Sequence, residues 1–134
     1  MVALSSKLWK IVRVSKLEFV KVAETSEVPV GKMKMVKLEG KEILIANVDG
    51  NYYAMGNRCT HAGGDLSKGS LSGNLVVCPR HGAQFNVTTG KVIAGPKILA
   101  LRIKIKDEPS FEVKVEGKDI LLKTSWLRLD WSLG

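Results

Sequence analysis

Cys59-Thr60-His61-Ala62-Gly63-Gly64 and Cys78-Pro79-Arg80-His81-Gly82-Ala83-Gln84-Phe85 are the two segments that decide how the chain is read. They contain the only two cysteines and the only two histidines of its 134 residues. All four fall within 23 positions, as Cys59 with His61 and Cys78 with His81. A tight turn can aim two such side chains at one point, which is how loops hold metals. Two thiolates and two imidazoles suit a tetrahedral zinc ion. They also suit a 2Fe–2S cluster with both cysteines on one iron and both histidines on the other. Spacing alone does not separate the two. A Cys59–Cys78 disulfide would leave both histidines without a role, and nothing in the sequence marks an oxidising compartment.

The residues around these ligands do separate them. The two segments resemble the paired cluster-binding boxes of Rieske proteins, and Ala94-Gly95-Pro96 resembles that family's third, cluster-covering loop. The resemblance runs from about Phe19 to about Leu122. It implies an all-β fold, a Rieske-like antiparallel β-sandwich with a small inserted cluster-binding subdomain. It further implies one 2Fe–2S cluster per chain, with Cys59, His61, Cys78 and His81 as its ligands and both histidines on the outer iron near the surface. The expected organisation is an N-terminal extension over 1–16 and a Rieske 2Fe–2S domain over 17–123. The cluster-binding subdomain falls at about 57–96, and a C-terminal extension at 124–134.

Departures from the high-potential branch of the family are informative. Those members carry two further cysteines that brace the site with a disulfide; the matching positions here are Gly64 and Arg80. They also donate hydroxyl hydrogen bonds to the cluster sulfurs from a Ser and a Tyr, and the matching positions here are Ala83 and Phe85. Without those bonds the electron-rich reduced state is less stabilised. The expected reduction potential lies in the lower part of the Rieske span of about −150 to +300 mV.

Composition sets the remaining bounds. The length fits one domain able to bury a real core. A hydrophobic content of 45% and a charged content of 25% are ordinary for a globular protein. No run approaches the ~18 apolar residues that span a bilayer, and no secretory signal is visible. The expectation is therefore a cytoplasmic protein similar to the soluble Rieske-type ferredoxins, without a transmembrane segment. The net charge is +8, which steers a protein towards something anionic. No nucleic-acid motif is present, and the lysines alternate along strands as solvated faces do.

The strand pattern is built on period-two alternation and acidic-Gly turns. Leu8 to Val14 and Leu17 to Ala23 read as strands, the second with Phe19 turned inward. Lys34 to Leu38, Ile43 to Val48 and Tyr52 to Met55 form a meander through Glu39-Gly40 and Asp49-Gly50, and it delivers the first metal loop. Leu75 to Val77 carries Cys78 at its end and pairs with Gln84 to Val87. Leu101 to Lys106 is the cleanest alternation, predicting a half-buried strand stopped by Pro109. Phe111 to Val115 and Lys118 to Leu122 form a last hairpin around Glu116-Gly117. Leu127, Leu129, Trp131 and Leu133 alternate with polar residues as a final strand would.

The expected function is one-electron transfer between a reductase and a terminal oxygenase or oxidase, with redox proteins bearing acidic docking surfaces as partners. Replacing two thiolates by neutral imidazoles removes negative charge, so an added electron meets less repulsion. Asp65 and the other carboxylates show no pairing for acid–base work, so no catalytic residue is expected. A redox or iron sensor, an accessory subunit of a larger oxidoreductase, and a structural zinc module are the competing readings.

Overall fold

The structure, a computed structural model, describes residues 19–60, 63–98, 101, 102 and 104–123. The two extensions, with the strands expected at Leu8 to Val14 and Leu127 to Leu133, lie outside the described residues, as does His61.

β3 (Lys41–Val48) is the spine of the fold. Seven of its eight residues read Glu42-Ile43-Leu44-Ile45-Ala46-Asn47-Val48, a run that lacks the usual alternation because both faces are covered. Ile43 and Ile45 point into one core cluster and Leu44 and Ala46 into another. β3 pairs antiparallel with β2 (Met33–Leu38) and β4 (Asn51–Gly56), and β11 (Ser110–Phe111) adds to β4. The connecting turns hold Glu39 and Gly40 at φ 52° and 79°, and Asp49 and Gly50 at 54° and 92°. Positive φ at both central residues is what a two-residue primed hairpin requires, so the expected meander is present.

A three-stranded antiparallel sheet covers one face of this sheet: β1 (Phe19–Glu24), β13 (Asp119–Lys123) and β12 (Val113–Glu116), in the order β1-β13-β12. Ala23, Ile120 and Leu122 meet Ile43, Ile45 and Ala54 in the shared core. Here one expectation fails. Phe19 is only half-buried, with the Lys114 ammonium over its ring at 5.6 Å, and Ala23 is the buried residue. A register shift between Lys21 and Ala23 breaks the alternation that would have turned Phe19 inward.

On the other face lies the small sheet β5 (Ser70–Ser72), β6 (Leu75–Val77), β7 (Gln84–Asn86) and β8 (Val92–Ala94), paired in that order. Its Val76, Phe85 and Val87 pack with Leu44, Ala46 and Met55, and Cys59 and Cys78 belong to the same cluster. The architecture is thus the all-β sandwich with an inserted metal-holding sheet.

The segment after β8 departs most from expectation. Only Leu101–Arg102 is strand (β10), paired with Lys97–Ile98 (β9), and Leu101 is 70% exposed. From Lys104 to Pro109 there is no strand. The backbone there bonds instead to a turn and to the end of β4: Glu108 N–H donates to Gly90 O at 2.8 Å, and Pro109 O accepts from Gly56 N–H at 2.9 Å. Alternation predicted a strand over Leu101 to Lys106, but among the described residues the pairing covers only Leu101 and Arg102. The last hairpin also differs, since Phe111 pairs with Ala54 of β4 rather than with β13.

Candidate metal centre

The two ligand loops share one backbone frame. In the first, Cys59 N–H donates to Gly64 O and Gly63 N–H donates to Cys59 O, both at 2.8 Å. In the second, Cys78 N–H donates to Ala83 O at 2.8 Å and Gly82 N–H to Cys78 O at 3.2 Å. Each cysteine therefore bonds to the residues four and five positions on, and the fourth is a glycine at positive φ, 70° for Gly63 and 74° for Gly82. Only glycine takes that conformation without strain. The same turn, used twice, presents a cysteine and the segment holding its histidine from each loop.

The loops face one another. A Cβ built on Gly64 would stand 2.9 Å from Cys78 Sγ and 3.3 Å from Arg80 Cγ and Cδ. The two positions matched to the brace of the high-potential branch are therefore neighbours. Both cysteines are buried thiols not joined in a disulfide. His81 is exposed, beside the buried cysteine of its own loop. The third loop closes over this loop: Gly95 and Pro96 are buried, and Lys97 N–H donates to His81 O at 2.9 Å. Ala83 and Phe85 are fully buried in the cysteine cluster and bring no hydroxyl to it. Among the described residues, which leave out His61, no three His, Cys, Asp or Glu side chains gather as a metal group.

A polar network that the sequence reading did not anticipate closes the base of the first loop. Asn57 is fully buried. Its Nδ2 donates to Asp65 Oδ1 at 2.9 Å and Glu42 Oε1 at 3.2 Å, and its Oδ1 accepts from Ser67 N–H at 2.9 Å. Arg58 bridges from Glu42, at 2.9 Å, to Gly63 O, at 3.1 Å. Burial pushes the Asp65 carboxyl up, but hydrogen bonds from Ser67 and Asn57 and the charge of Arg58 outweigh it and hold it below its ordinary value. No spacing rule marks Asn57; it reads as loop until its three partners are in place. Asn57→Ala removes three hydrogen bonds at once and leaves a gap where a fully buried side chain stood, while Ser67 keeps its bonds to Asp65 and Arg58 its bond to Glu42. We expect a loss of about 2 kcal/mol, read in a urea melt with an unchanged m-value.

Glu108 is the other buried polar residue at this site, 5% exposed. Burial pushes its carboxyl up to about 7, and a hydrogen bond from the Thr60 backbone N–H pulls it only partly back. One of its oxygens, Oε2, is buried with no hydrogen-bond partner. It lines a cavity of about 450 Å³ with Lys41, Glu42 and Arg58. In the sequence it reads as one more charge in a solvated run.

The donor set and its setting fit an iron–sulfur centre. Two soft sulfur donors sit in an apolar cluster on matched turns, and the segment of one histidine faces water. The comparisons agree. The sequence matches the Rieske [2Fe-2S] domain over residues 18–105. The chain belongs to this family, and its cofactor is a 2Fe–2S cluster. It is 37% identical over 97 residues, 72% of this chain and 86% of the relative, to the ferredoxin component of the naphthalene 1,2-dioxygenase/salicylate 5-hydroxylase systems of Ralstonia sp. It is 34% identical over 110 residues to the biphenyl dioxygenase ferredoxin subunit of Pseudomonas sp. (strain KKS102), covering 81% of this chain and 94% of that one. A chain in the complex of reduced oxygenase and oxidized ferredoxin in carbazole 1,9a-dioxygenase superposes with a TM-score of 0.70 at 29% identity. The match covers 80% of this chain and 94% of that one.

Proposed function

We propose that this chain is a one-electron carrier that passes electrons from a reductase to a terminal oxygenase, and is not an enzyme in its own right. In this reading Cys59 and Cys78 hold one iron and His61 and His81 the other, within a domain over 17–123 whose cluster-binding part spans about 57–96. The observation that carries it is the pair of matched turns, which brings Gly64 of one loop against Cys78 Sγ of the other. A bound 2Fe–2S cluster would supply one-electron redox chemistry at this site. The chain's own residues do the rest. The apolar cluster around Cys59 and Cys78 keeps water from the thiolates. The paired turns hold both loops through backbone hydrogen bonds at each cysteine. His81, at the surface, marks the side a partner approaches. Ile93, 57% exposed next to the third loop, adds an apolar contact there. The relatives' names support the partners, since they are ferredoxin components of dioxygenase systems. A reducing compartment keeps both thiols available for iron, and on that ground we place the protein in the cytoplasm.

The test is stopped-flow mixing of the reduced protein with an oxidised aromatic-ring dioxygenase terminal component. The carrier reading predicts second-order reoxidation of this protein. With a net charge of +8 steering it to an acidic surface, the rate falls as salt rises. Absence of transfer, together with partner binding that depends on oxidation state, would favour a sensor instead.

Ala83 offers a second check. A serine there puts a hydroxyl at a buried position in the cysteine cluster. One hydrogen bond that strengthens on reduction by roughly 1 kcal/mol raises a one-electron potential by about 40–60 mV. We expect Ala83→Ser to move the midpoint up by that much, from a starting value in the lower part of the Rieske span. An unchanged midpoint, or a wild-type value above about +200 mV, would contradict this.

A further inference from the structure

Cations are matched by carboxylates at one end of the molecule and unmatched at the other. β4 runs from Asn51, beside the Asp49-Gly50 turn, to Gly56, where the first ligand loop begins, so it separates the two ends by roughly 17 Å. The Tyr52 hydroxyl donates to Thr25 O at 3.2 Å and so ties the end of β1 to the turn end. There Lys21 Nζ lies 3.0 Å from Glu24 Oε2, and Lys34 Nζ 3.5 Å from Glu27 Oε1. At the ligand-loop end, Arg80, Lys97 and Lys106 are exposed. Among the described residues none of these three side chains makes an ion pair or a hydrogen bond. Arg58 is the contrast, because Glu42, at 2.9 Å, and Gly63 O, at 3.1 Å, hold its guanidinium within the protein.

The fold brings the three cations together from separate segments. Lys97 N–H donates to His81 O at 2.9 Å, which places Lys97 against the second ligand loop. Lys106 O accepts from the Thr60 hydroxyl at 2.6 Å, which places Lys106 against the first. Arg80 precedes His81, and its Cγ and Cδ would lie 3.3 Å from a Cβ on Gly64. Its apolar stem therefore reaches across to the first loop, and its charge stands between the two. Asp107, beside Lys106, is the exposed carboxylate of these segments, and its Oδ1 accepts from Val92 N–H at 2.8 Å. One carboxylate against three cations leaves the loops rimmed by positive charge. Grouped like charges add nothing to the stability of the fold. They are complemented when an acidic surface is brought against them.

We propose that Arg80, Lys97 and Lys106 form a basic rim around the ligand loops that docks the acidic surface of a redox partner protein. These three residues, rather than the net charge of +8 spread over the chain, set the encounter. The proposal rests on the reading of the chain as an electron carrier: the one electron lost by the reduced protein is gained by the partner seated on the rim.

The test compares two triple variants of the iron-loaded protein that lose the same charge. One carries Arg80→Gln, Lys97→Gln and Lys106→Gln. The other carries Lys32→Gln, Lys34→Gln and Lys118→Gln at the turn end, where Lys32 O accepts from Asn47 N–H at 3.0 Å and Lys118 O from Thr25 N–H at 2.8 Å. Surface changes of this kind leave folding nearly untouched. The first readout is the Kd of the oxidised protein for an aromatic-ring dioxygenase terminal component, by titration calorimetry. The second is the rate at which the reduced protein gives its electron to the cobalt(III) complex of EDTA, an anion, and to that of phenanthroline, a cation. At low salt we expect the rim variant to bind the oxygenase about tenfold or more weakly. It reacts more slowly with the anionic complex and faster with the cationic one, whereas a changed driving force would move both rates alike. The turn-end variant stays within about twofold of wild type throughout, and high salt brings all three proteins together. Equal effects of the two variants, or a rim variant that behaves as wild type does, would overturn the proposal. So would a rim whose loss abolishes binding to vesicles of anionic phospholipid but leaves oxygenase binding intact, since that assigns it to a membrane. Wild-type protein that carries no iron, or gives no electron to either complex, refutes the carrier reading; a working carrier with an indifferent rim refutes only the docking role.

Discussion

Gly69→Ala is expected to lose about 3 kcal/mol or more of stability, with its melting temperature lower by roughly 10 °C. A Cβ at Gly69 would collide with the Val77 carbonyl oxygen and lie 3.2 Å from Pro79 Cδ. Neither neighbour is a flexible tip. Val77 is the end of β6, paired with Ser70 of β5, and Pro79 follows the candidate ligand Cys78. To make room, β5 must part from β6 or the second loop must move. The damage therefore reaches the metal site, and iron content falls together with the melting temperature. A variant that melts and binds iron as wild type does would mean that this close backbone approach is absent in solution.

Glu108→Gln is expected to stabilise the protein at high pH and to make little difference at low pH. The sign follows from the direction of the shift. The folded carboxyl sits at about 7 and its ordinary value is 4.5, so the folded state favours the protonated form. That preference is fully present below about 4.5 and is lost as pH rises through about 7. At about 1.4 kcal/mol per pKa unit, the burden from ionising Glu108 reaches about 3 kcal/mol above pH 8. Glutamine does not ionise, and Arg58, the nearest guanidinium in the cavity, is already bound to Glu42. The difference in stability between the two proteins, from melts at pH 5 to 8.5, should therefore grow with pH. A difference that stays flat would show that water reaches the carboxylate.

Short-range chemistry was legible in the sequence. The four candidate ligands stand out because the chain has no other cysteine or histidine. The hairpins at Glu39-Gly40 and Asp49-Gly50 follow from residues that accept positive φ. What could not be read depends on partners far along the chain. Alternation at Leu101 to Lys106 is a real period-two pattern, yet a strand needs a neighbour, and here the following backbone bonds to Gly90, Gly56 and Thr60. Phe19 is only half-buried, and Ala23 is the buried residue of β1, because of a register shift that is invisible without its partner β13. Asn57 and Glu108 look like ordinary loop and surface residues, since burial is a property of the assembled sheets.

The most direct test of the electron-carrier reading is an EPR spectrum of the dithionite-reduced protein, with iron and acid-labile sulfide measured on the same sample. The structure and the family predict about two irons and two sulfides per chain. They also predict a rhombic signal whose average g value lies below that of all-cysteine clusters. A colourless, EPR-silent protein containing zinc would contradict it and leave Cys59, His61, Cys78 and His81 as a structural site.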